Sequence, residues 1–366
     1  MKTKVRYLIC FSSLVSCTAF AGSMTLFGIV DGGLTFSGNA GGKANYIMQS
    51  GIAQGSRWGL RGVEDLAAET SVIFQLENGF DLMTGKIQQA GALFGRQAWV
   101  GIDNGTLGRI TMGRQYDSLV DFLQPTTMNG HFGALFSHAG DVDNTDNGYR
   151  INNSVKYRSP KLGGFSFGAA YAFGNVAGSF GAQSTMAAGL SYSLGCLYIG
   201  AAYLKAKNPV QQFPDGNFFA GNTIYGTTIV TPATSQQRTF GVGVTWGDIV
   251  GVDYTNVKFL NALDSQSVNF SNYEAWGQWQ FNAAVTGGLG YTWTSARINA
   301  RDESRQYGQL NVMLDYLLSK RTDVYVMGVW QRAFGDNAVA AVYPAIAGSS
   351  TTRSQIVARV GMRHKF

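Results

Sequence analysis

The side chains best suited to metal or acid–base chemistry are concentrated in one polar stretch of the sequence. His131 and His138 lie seven residues apart, and Asp141 follows closely enough to join them. Imidazole and carboxylate groups together are typical zinc ligands. The run 141–148 also begins like a calcium-binding loop, but its fifth and sixth positions lack the acid or amide and the glycine that such a loop requires. Exposed polar residues of an ordinary loop explain both patterns, so the sequence predicts no metal site and no cofactor.

Catalytic motifs are not recognisable around these residues. The third histidine, His364, lies two residues from the C-terminus and has no nucleophile or metal motif beside it. A lipase would need a serine and a histidine that act together on a substrate, and no short motif in the sequence supplies such a pair. The sequence therefore predicts that the protein is not an enzyme.

The N-terminus has the features of an export signal. Three basic residues precede an uncharged run at 7–20, and the small residues Ala19 and Ala21 suit a signal peptidase. We therefore predict a cleaved signal peptide at 1–21. A lipoprotein cleavage box at 14–17 is the alternative interpretation. Two of the three cysteines would leave with the signal peptide, so Cys196 would have no intramolecular disulfide partner.

The composition favours one large β-rich unit over residues 22–366. The chain has 48 glycines, 23 phenylalanines, 17 tyrosines and only 14% charged residues, without a linker-like segment. Loss of Lys2, Lys4 and Arg6 lowers the basic residues from 28 to 25 against 22 acidic ones, which changes the net charge from +6 to +3. So small an excess of positive charge does not indicate a nucleic-acid partner.

Alternation of apolar with small or polar residues is the main structural pattern. In 165–173 and 239–246 the large apolar side chains fall on one face of a strand and the glycines, serines and threonines on the other. Most such segments have about the nine to eleven residues that cross a bilayer when tilted. Sixteen strands are predicted near 24–37, 53–63, 69–80, 90–103, 106–116, 150–159, 165–173, 186–193, 196–205, 236–246, 249–258, 271–281, 284–294, 306–318, 323–334 and 352–366.

The connections between these strands alternate between short and long, as in a transmembrane barrel. The short ones include 104–105, 194–195, 247–248 and 319–322, and the long ones include 117–149, 206–235 and 335–351. Because lipid offers the backbone no hydrogen-bond partner, a sheet can lie in a membrane only if it closes on itself. The sequence therefore predicts an all-β fold, a sixteen-stranded antiparallel transmembrane β-barrel wide enough to hold water.

The C-terminal strand ends in a pattern that resembles the signal read by the barrel-assembly machinery. Every second residue from Ile356 to His364 lies on the same face as the final Phe366, and Gly361 and His364 stand at the expected offsets from that phenylalanine. We therefore expect Phe366, His364 and Gly361 to act as the assembly signal.

Seven segments together resemble the trimeric general-diffusion porins of Gram-negative bacteria, in particular the β-proteobacterial branch. They are 25–31, 55–66, 74–80, 94–101, 113–117, 152–157 and 359–366, and they extend over the whole mature chain. The resemblance implies a multi-pass barrel in the cell outer membrane, in contact with lipid and lipopolysaccharide, that assembles as a homotrimer. It also implies that loop 117–149 folds into the lumen as a constriction and that small hydrophilic solutes and ions diffuse passively through the channel.

The resemblance also assigns charged side chains to the two sides of the constriction. The basic set is Arg57, Arg96, Arg150, Arg61 and Arg114, and the acidic set is Glu77, Asp121 and Asp117. Alternation in the second strand agrees, since it places Arg57 and Arg61 on the face opposite Trp58. The loop lacks the glutamate that many relatives carry near their loop proline. An excess of arginine predicts weak anion selectivity.

Two other functions remain open at the level of sequence. A substrate-specific porin for a sugar or an organic anion would show a track of aromatic side chains along the lumen, whereas the aromatic faces here are mainly those predicted to face lipid. An outer-membrane adhesin or structural barrel would use its outer loops or a periplasmic tether.

Overall fold

The structure is a computed structural model that describes residues 22–67 and 69–366. The predicted signal peptide at 1–21 lies outside the described residues. Seventeen strands account for most of the described chain. They are β1 Ser23–Ala40, β2 Lys43–Ser50, β3 Arg57–Ala67, β4 Thr70–Gly79, β5 Gln97–Asn104, β6 Gly108–Gln115, β7 Ile151–Arg158, β8 Phe165–Ala172, β9 Thr185–Leu194, β10 Leu197–Lys207, β11 Gln236–Trp246, β12 Val250–Leu263, β13 Gln266–Gln280, β14 Val285–Ile298, β15 Glu303–Ser319, β16 Thr322–Gly335 and β17 Ser354–Lys365.

Short helical segments lie in the connections between the strands. The α-helical ones are α1 Met128–Phe132, α2 Pro209–Gln212, α3 Gly226–Ile229 and α4 Pro344–Ala347. A π-helical turn spans Leu119–Leu123, and 3₁₀ turns span Gln89–Gly91, Gln124–Thr126, Ala134–Phe136, Ala139–Asp141 and Asn299–Arg301. Among the residues described, no helix has the length and apolar character needed to cross a membrane.

The strands form one closed antiparallel barrel. From β3 to β17 each strand pairs with the next, and β17 pairs with β1 over Ile29–Ser37 to close the sheet. The long strand β1 pairs with β2 through its later half and with β3 through its earlier half. β2 and β3 are therefore two halves of one wall strand, interrupted at 51–56. The predicted sixteen-stranded barrel is confirmed.

Four strands differ most from the sequence prediction. β5 begins at Gln97 rather than near 90, because 80–96 forms a loop with a 3₁₀ turn. The half-strand β2 was absent from the prediction. β12 and β13 are longer than predicted and meet at the two residues Asp264 and Ser265, both with positive φ, as a tight hairpin turn requires. Short and long connections therefore do not alternate strictly.

The outer face of the barrel is apolar and the inner face is polar, the reverse of a soluble protein. In β15 the side chains of Leu310, Val312 and Leu314 are exposed, whereas Gln309 and Asn311, which alternate with them, are buried. A soluble protein rarely leaves so continuous an apolar band in contact with water. The band is the surface that lipid covers in a transmembrane barrel.

The buried hydrophobic residues lie inside the barrel, where loop 117–149 packs against the inner wall. Leu119, Phe122 and Leu123 of this loop are almost completely buried against strands β9 to β11. A Cβ atom at Gly189 of β9 would lie 2.2 Å from the Phe122 ring, and one at Gly200 of β10 would lie 2.0 Å from the Phe122 carbonyl oxygen. Where the loop approaches the wall most closely, the wall residues are therefore glycines.

Candidate pore constriction

The loop that enters the lumen is held in shape by its own first acidic residue. Asp117 Oδ1 accepts a hydrogen bond from the backbone N–H of Leu119 at 2.7 Å, and Oδ2 accepts one from Asn144 Nδ2 at 2.7 Å. These bonds join the beginning of the loop to its end. Asp117 is fully buried, and this burial raises its pKa to about 6. Asp117, predicted to be an acid of the constriction, is therefore placed within the loop and away from the lumen surface.

Three of the predicted arginines line a common cavity in the lumen. Arg57 is the first residue of β3, Arg96 immediately precedes β5, and Arg150 immediately precedes β7, so the three arginines lie at the same end of three alternate wall strands. The cavity has a volume of about 550 Å³ and contains all three side chains in its lining. Gln124 and Asn129 of the inward-folded loop line the same cavity. The arrangement places a basic wall opposite a polar loop across a narrow space.

Glu77 lies behind the basic wall. Its Oε1 atom is 2.6 Å from Arg96 Nε and 3.8 Å from Arg57 Nη1, and its side chain is only 4% exposed. The Tyr116 hydroxyl accepts a hydrogen bond from Arg96 Nη2 at 2.9 Å. Glu77 therefore holds the arginines in place and balances part of their charge, while the guanidinium groups are nearer to the water of the cavity.

A residue that the sequence did not predict anchors the other part of this wall. Asp215, from the loop 208–235, accepts a hydrogen bond from Arg114 Nη2 at 2.5 Å and lies 3.9 Å from Arg150 Nη1. Arg114 also donates to the Gly95 carbonyl and to Asn152. The Nε, Nη1 and Nη2 atoms of Arg114 therefore all donate hydrogen bonds to other protein atoms. No motif surrounds Asp215 in the sequence, so only the folded loop reveals this contact.

Two more predicted residues lie away from the cavity lining. Arg61 lies four residues after Arg57, on the same face of β3. Its guanidinium group is 5.3 Å from the centre of the Phe27 ring. Asp121 pairs with Lys156 of β7 at 2.8 Å. Of the predicted acidic set, only Glu77 contacts the arginines.

The carboxylates that line the cavity are Asp81 and Asp146, neither of which belongs to the acidic set predicted for the constriction. Asp146 is partly exposed to the cavity and surrounded by protein elsewhere, and this burial raises its pKa to about 6. The backbone N–H of Asp146 donates to Asp141 Oδ1 at 2.9 Å. Burial and the nearby carboxylates of Asp146 and Asp143 raise the pKa of Asp141 well above its usual value.

The opposite side of the loop is fixed to the far wall of the barrel. Trp276 Nε1 of β13 donates to the Thr126 carbonyl at 2.7 Å, and the Met128 N–H donates to Glu274 Oε1 at 2.6 Å. His138 is completely buried there, so its interpretation as an exposed loop residue was wrong. The loop is folded inward, which removes His138 from solvent. Burial lowers the pKa of His138, but the adjacent carboxylates more than reverse this and raise it well above its usual value.

Comparison with known proteins assigns the chain to a family. A family model described as Gram-negative porin matches residues 8–333. An outer membrane porin protein of Bordetella pertussis is 30% identical, with 94% of each chain covered. The chain belongs to the Gram-negative porin family. It is therefore an outer-membrane protein whose barrel encloses a channel for passive diffusion.

Solved porin structures share the fold of this porin. The anion-selective porin from Comamonas acidovorans superimposes with a TM-score of 0.75 at 22% identity, covering 94% of this chain and 100% of that one. OmpT of Vibrio cholerae in its trimer form gives a TM-score of 0.67 at 15% identity, with the same coverage. At these identities the likeness concerns the fold.

The C-terminus of the porin closes the barrel. The backbone N–H and carbonyl of Phe366 each bond to Gly28 of β1 at 3.0 Å, and a Cβ atom at Gly28 would lie 2.2 Å from the Phe366 ring. Gly361 makes room for Tyr325, since a Cβ atom there would lie 2.4 Å from the tyrosine hydroxyl. His364 Nδ1 lies 2.8 Å from Thr322 Oγ1. The three residues of the predicted assembly signal thus lie at the seam between β17 and its two neighbours.

Proposed function

We propose that this porin is a weakly anion-selective general-diffusion channel whose constriction lies between the basic wall and loop 117–149. The observation that carries the proposal is the cavity of about 550 Å³ lined by Arg57, Arg96 and Arg150. Guanidinium groups remain charged at any physiological pH. Their attraction for anions therefore does not depend on the pH of the solution. The fold shared with a solved anion-selective porin supports this direction of selectivity.

A planar-bilayer recording tests this function. The purified porin should give open channels whose zero-current potential, under a KCl gradient, has the sign of chloride preference. Because a few charges act through water, the permeability ratio should be only a few-fold at low salt and should approach unity near about 1 M. A cation-selective potential, or barrels that never conduct, would contradict the proposal.

Preference for an organic anion is the second candidate. Arg57, Arg96 and Arg150 present three guanidinium groups to one cavity. A guanidinium group can bind a carboxylate or a phosphate through two parallel hydrogen bonds. Transient blockade of the chloride current by a dicarboxylate added at submillimolar concentration would favour this candidate, and the absence of any blockade would favour general diffusion.

The assembly and export of the porin are part of the same proposal. The leader at 1–21 directs export and is removed before Gly22. The barrel-assembly machinery recognises the strand that ends at Phe366, and the barrel then lies among lipid and lipopolysaccharide as a homotrimer. The trimeric form of a solved porin with the same fold supports the homotrimer. Mass spectrometry of the protein purified in detergent tests both the mature N-terminus and the number of chains.

A further inference from the structure

A buried histidine and three carboxylates lie at the place where the constriction loop meets the far wall. His138 and Asp143 belong to the loop, whereas Asp253 belongs to β12 and Glu274 to β13. The side chains of all four residues are shielded from solvent. His138 Nε2 lies 3.3 Å from Asp253 Oδ1 and 3.9 Å from Glu274 Oε2. Two barrel strands and the loop therefore contribute polar atoms to one small volume.

The spacing of these atoms matches the donor set of a metal ion. His138, Asp253 and Glu274 each offer one ligand atom, and the three atoms lie within 4.8 Å of one another. Around a tetrahedral zinc ion with bonds of about 2.0–2.1 Å, neighbouring donor atoms are separated by roughly 3.3 Å. The distance between His138 Nε2 and Asp253 Oδ1 already has this value, and the distance of 3.9 Å between His138 Nε2 and Glu274 Oε2 is only slightly longer.

Asp143 occupies the position of an outer carboxylate that orients a metal-binding histidine. Its Oδ2 atom lies 2.6 Å from His138 Nδ1, on the other side of the imidazole ring from Asp253 and Glu274. Asp143 is itself held by the Thr255 hydroxyl and by Asn272 Nδ2. A histidine that donates from Nδ1 to a carboxylate presents the lone pair of Nε2 to a metal, and this arrangement recurs in zinc proteins.

Three of the polar atoms that point into this volume, one of His138 and two of Asp253, lack a partner outside it, whereas Glu274 Oε2 accepts a hydrogen bond from Thr292 Oγ1 at 3.0 Å. Apart from the ion pair between them, neither His138 Nε2 nor either oxygen of Asp253 has a hydrogen-bond partner within the described part of the chain, although all are buried. Buried polar atoms are normally paired, and an unpaired one calls for an explanation.

We propose that His138, Asp253 and Glu274 bind a divalent transition-metal ion such as Zn²⁺. Asp143 is the positioning residue. The ion fastens the constriction loop to strands β12 and β13, on the side of the loop opposite the basic wall. Imidazole together with carboxylate favours zinc and its neighbours over Mg²⁺ or Ca²⁺, which prefer oxygen donors alone. The binding site is independent of whether the channel prefers anions.

The experiment measures metal bound to the intact porin. Porin extracted from outer membranes in detergent is first treated with a chelator and then incubated with Zn²⁺ at pH 7.5. After removal of free metal, the zinc bound to the protein is measured by elemental mass spectrometry. The expected result is one Zn²⁺ per chain. H138Q and E274Q should each lose it. D143N retains all three ligands and should weaken the affinity by about 10–100-fold.

His131→Gln is the matched control, because His131 lies in the same loop but its Nε2 atom contacts the Pro125 carbonyl, away from this site. It should bind one Zn²⁺ as the wild type does. Resistance of the folded barrel to detergent without heating confirms that each variant is folded. A folded wild type that retains no zinc, so that a protonated His138 alone pairs with the carboxylates, overturns the proposal. Retention of zinc by folded H138Q overturns it as well.

Discussion

At the scale of residues, the lumen is organised by charge. Arg57 and Arg96 share the buried Glu77, and Arg150 shares Asp215 with a neighbouring arginine. Because Glu77 lies behind the guanidinium groups of Arg57 and Arg96, these positive charges are nearer to the water of the cavity than the carboxylate that they share. An ion about 8 Å from one unit charge in water has an interaction energy of roughly 0.5 kcal/mol, before salt screening. Such energies bias the passage of ions without excluding either sign.

Replacement of Arg57, Arg96 and Arg150 together by Gln should move the zero-current potential toward cation preference while the channel stays open. The physical reason is the loss of three positive charges from the cavity lining, which leaves the carboxylates behind them unbalanced. The measurement is the reversal potential under a KCl gradient at low salt. Arg61→Gln is the control, since Arg61 lies outside the cavity lining. An unchanged potential in the triple variant would show that these arginines do not line the constriction.

Acidification should increase the preference for anions. The pKa of Asp146 is raised to about 6 by burial, so this carboxyl is mostly ionised at pH 7.5 and mostly protonated at pH 5. Protonation removes a negative charge from the cavity lining, and the remaining charge becomes more positive. The reversal potential should shift toward the chloride value between these two pH values. In Asp146→Asn the shift should be much smaller, and a full shift in that variant would assign it to another group.

At the scale of elements, the position of the constriction depends on how closely the loop can approach the wall. The π-helical turn Leu119–Leu123 rests on β9, β10 and β11, where Gly189 and Gly200 leave room for Phe122. On the other side of the loop, Trp276 donates to the carbonyl of Thr126. The loop is thus supported on two sides of the barrel, and the remaining open area lies beside the arginines.

A side chain at Gly200 should displace the loop. A Cβ atom there would lie 2.0 Å from the backbone carbonyl oxygen of Phe122, which cannot rotate away. Gly200→Val should therefore push the loop toward the centre of the lumen, lower the single-channel conductance and make the loop easier to cleave with protease. Gly328→Val on β16 is the control, because no atom lies within 4 Å of its added Cβ. Equal conductance in both variants would contradict the close contact between loop and wall.

At the scale of the whole molecule, stability comes from closure of the sheet. β17 pairs with β1, so no strand edge is left in the hydrocarbon region of the membrane. The seam ends where Phe366 bonds to Gly28 through both backbone groups and covers it with its ring. The last residue of the chain is therefore also the last residue of the closing hydrogen-bond ladder.

Replacement of Phe366 by Asp should lower the amount of folded, heat-modifiable trimer in outer membranes. The change removes the aromatic ring at the seam and places a charge on the apolar face that the assembly machinery is proposed to read. The measurement is gel mobility of heated and unheated membrane samples. Gln211→Ala, at an exposed position in the loop 208–235, is the control and should leave the yield unchanged. Equal yields for F366D and wild type would contradict the role of Phe366 in assembly.

The sequence by itself determined the features of the porin that repeat locally. Alternation of side chains follows from the pleat of a single strand, so apolar residues such as Leu310 and Val312 could be assigned to the lipid-facing surface without knowledge of their neighbours. The turn residues and the final Phe366 are also local. These features were sufficient for the fold class and the number of wall strands, whereas the three arginines that the structure brings together were assigned from the resemblance of whole segments to a known family.

Only the tertiary structure decided which side chains meet inside the barrel. Asp215 reaches Arg114 across 101 residues of sequence, and His138 of the loop meets Asp253 and Glu274 of the wall. Neither contact could be recognised from a sequence period or a motif, because each depends on how a long irregular loop folds into the lumen. The same reason explains why Asp121 was expected to face the arginines and instead pairs with Lys156. The positions of wall residues follow from the regular register of strand pairing. The positions of loop residues depend on how the loop packs against the inner surface of the closed barrel.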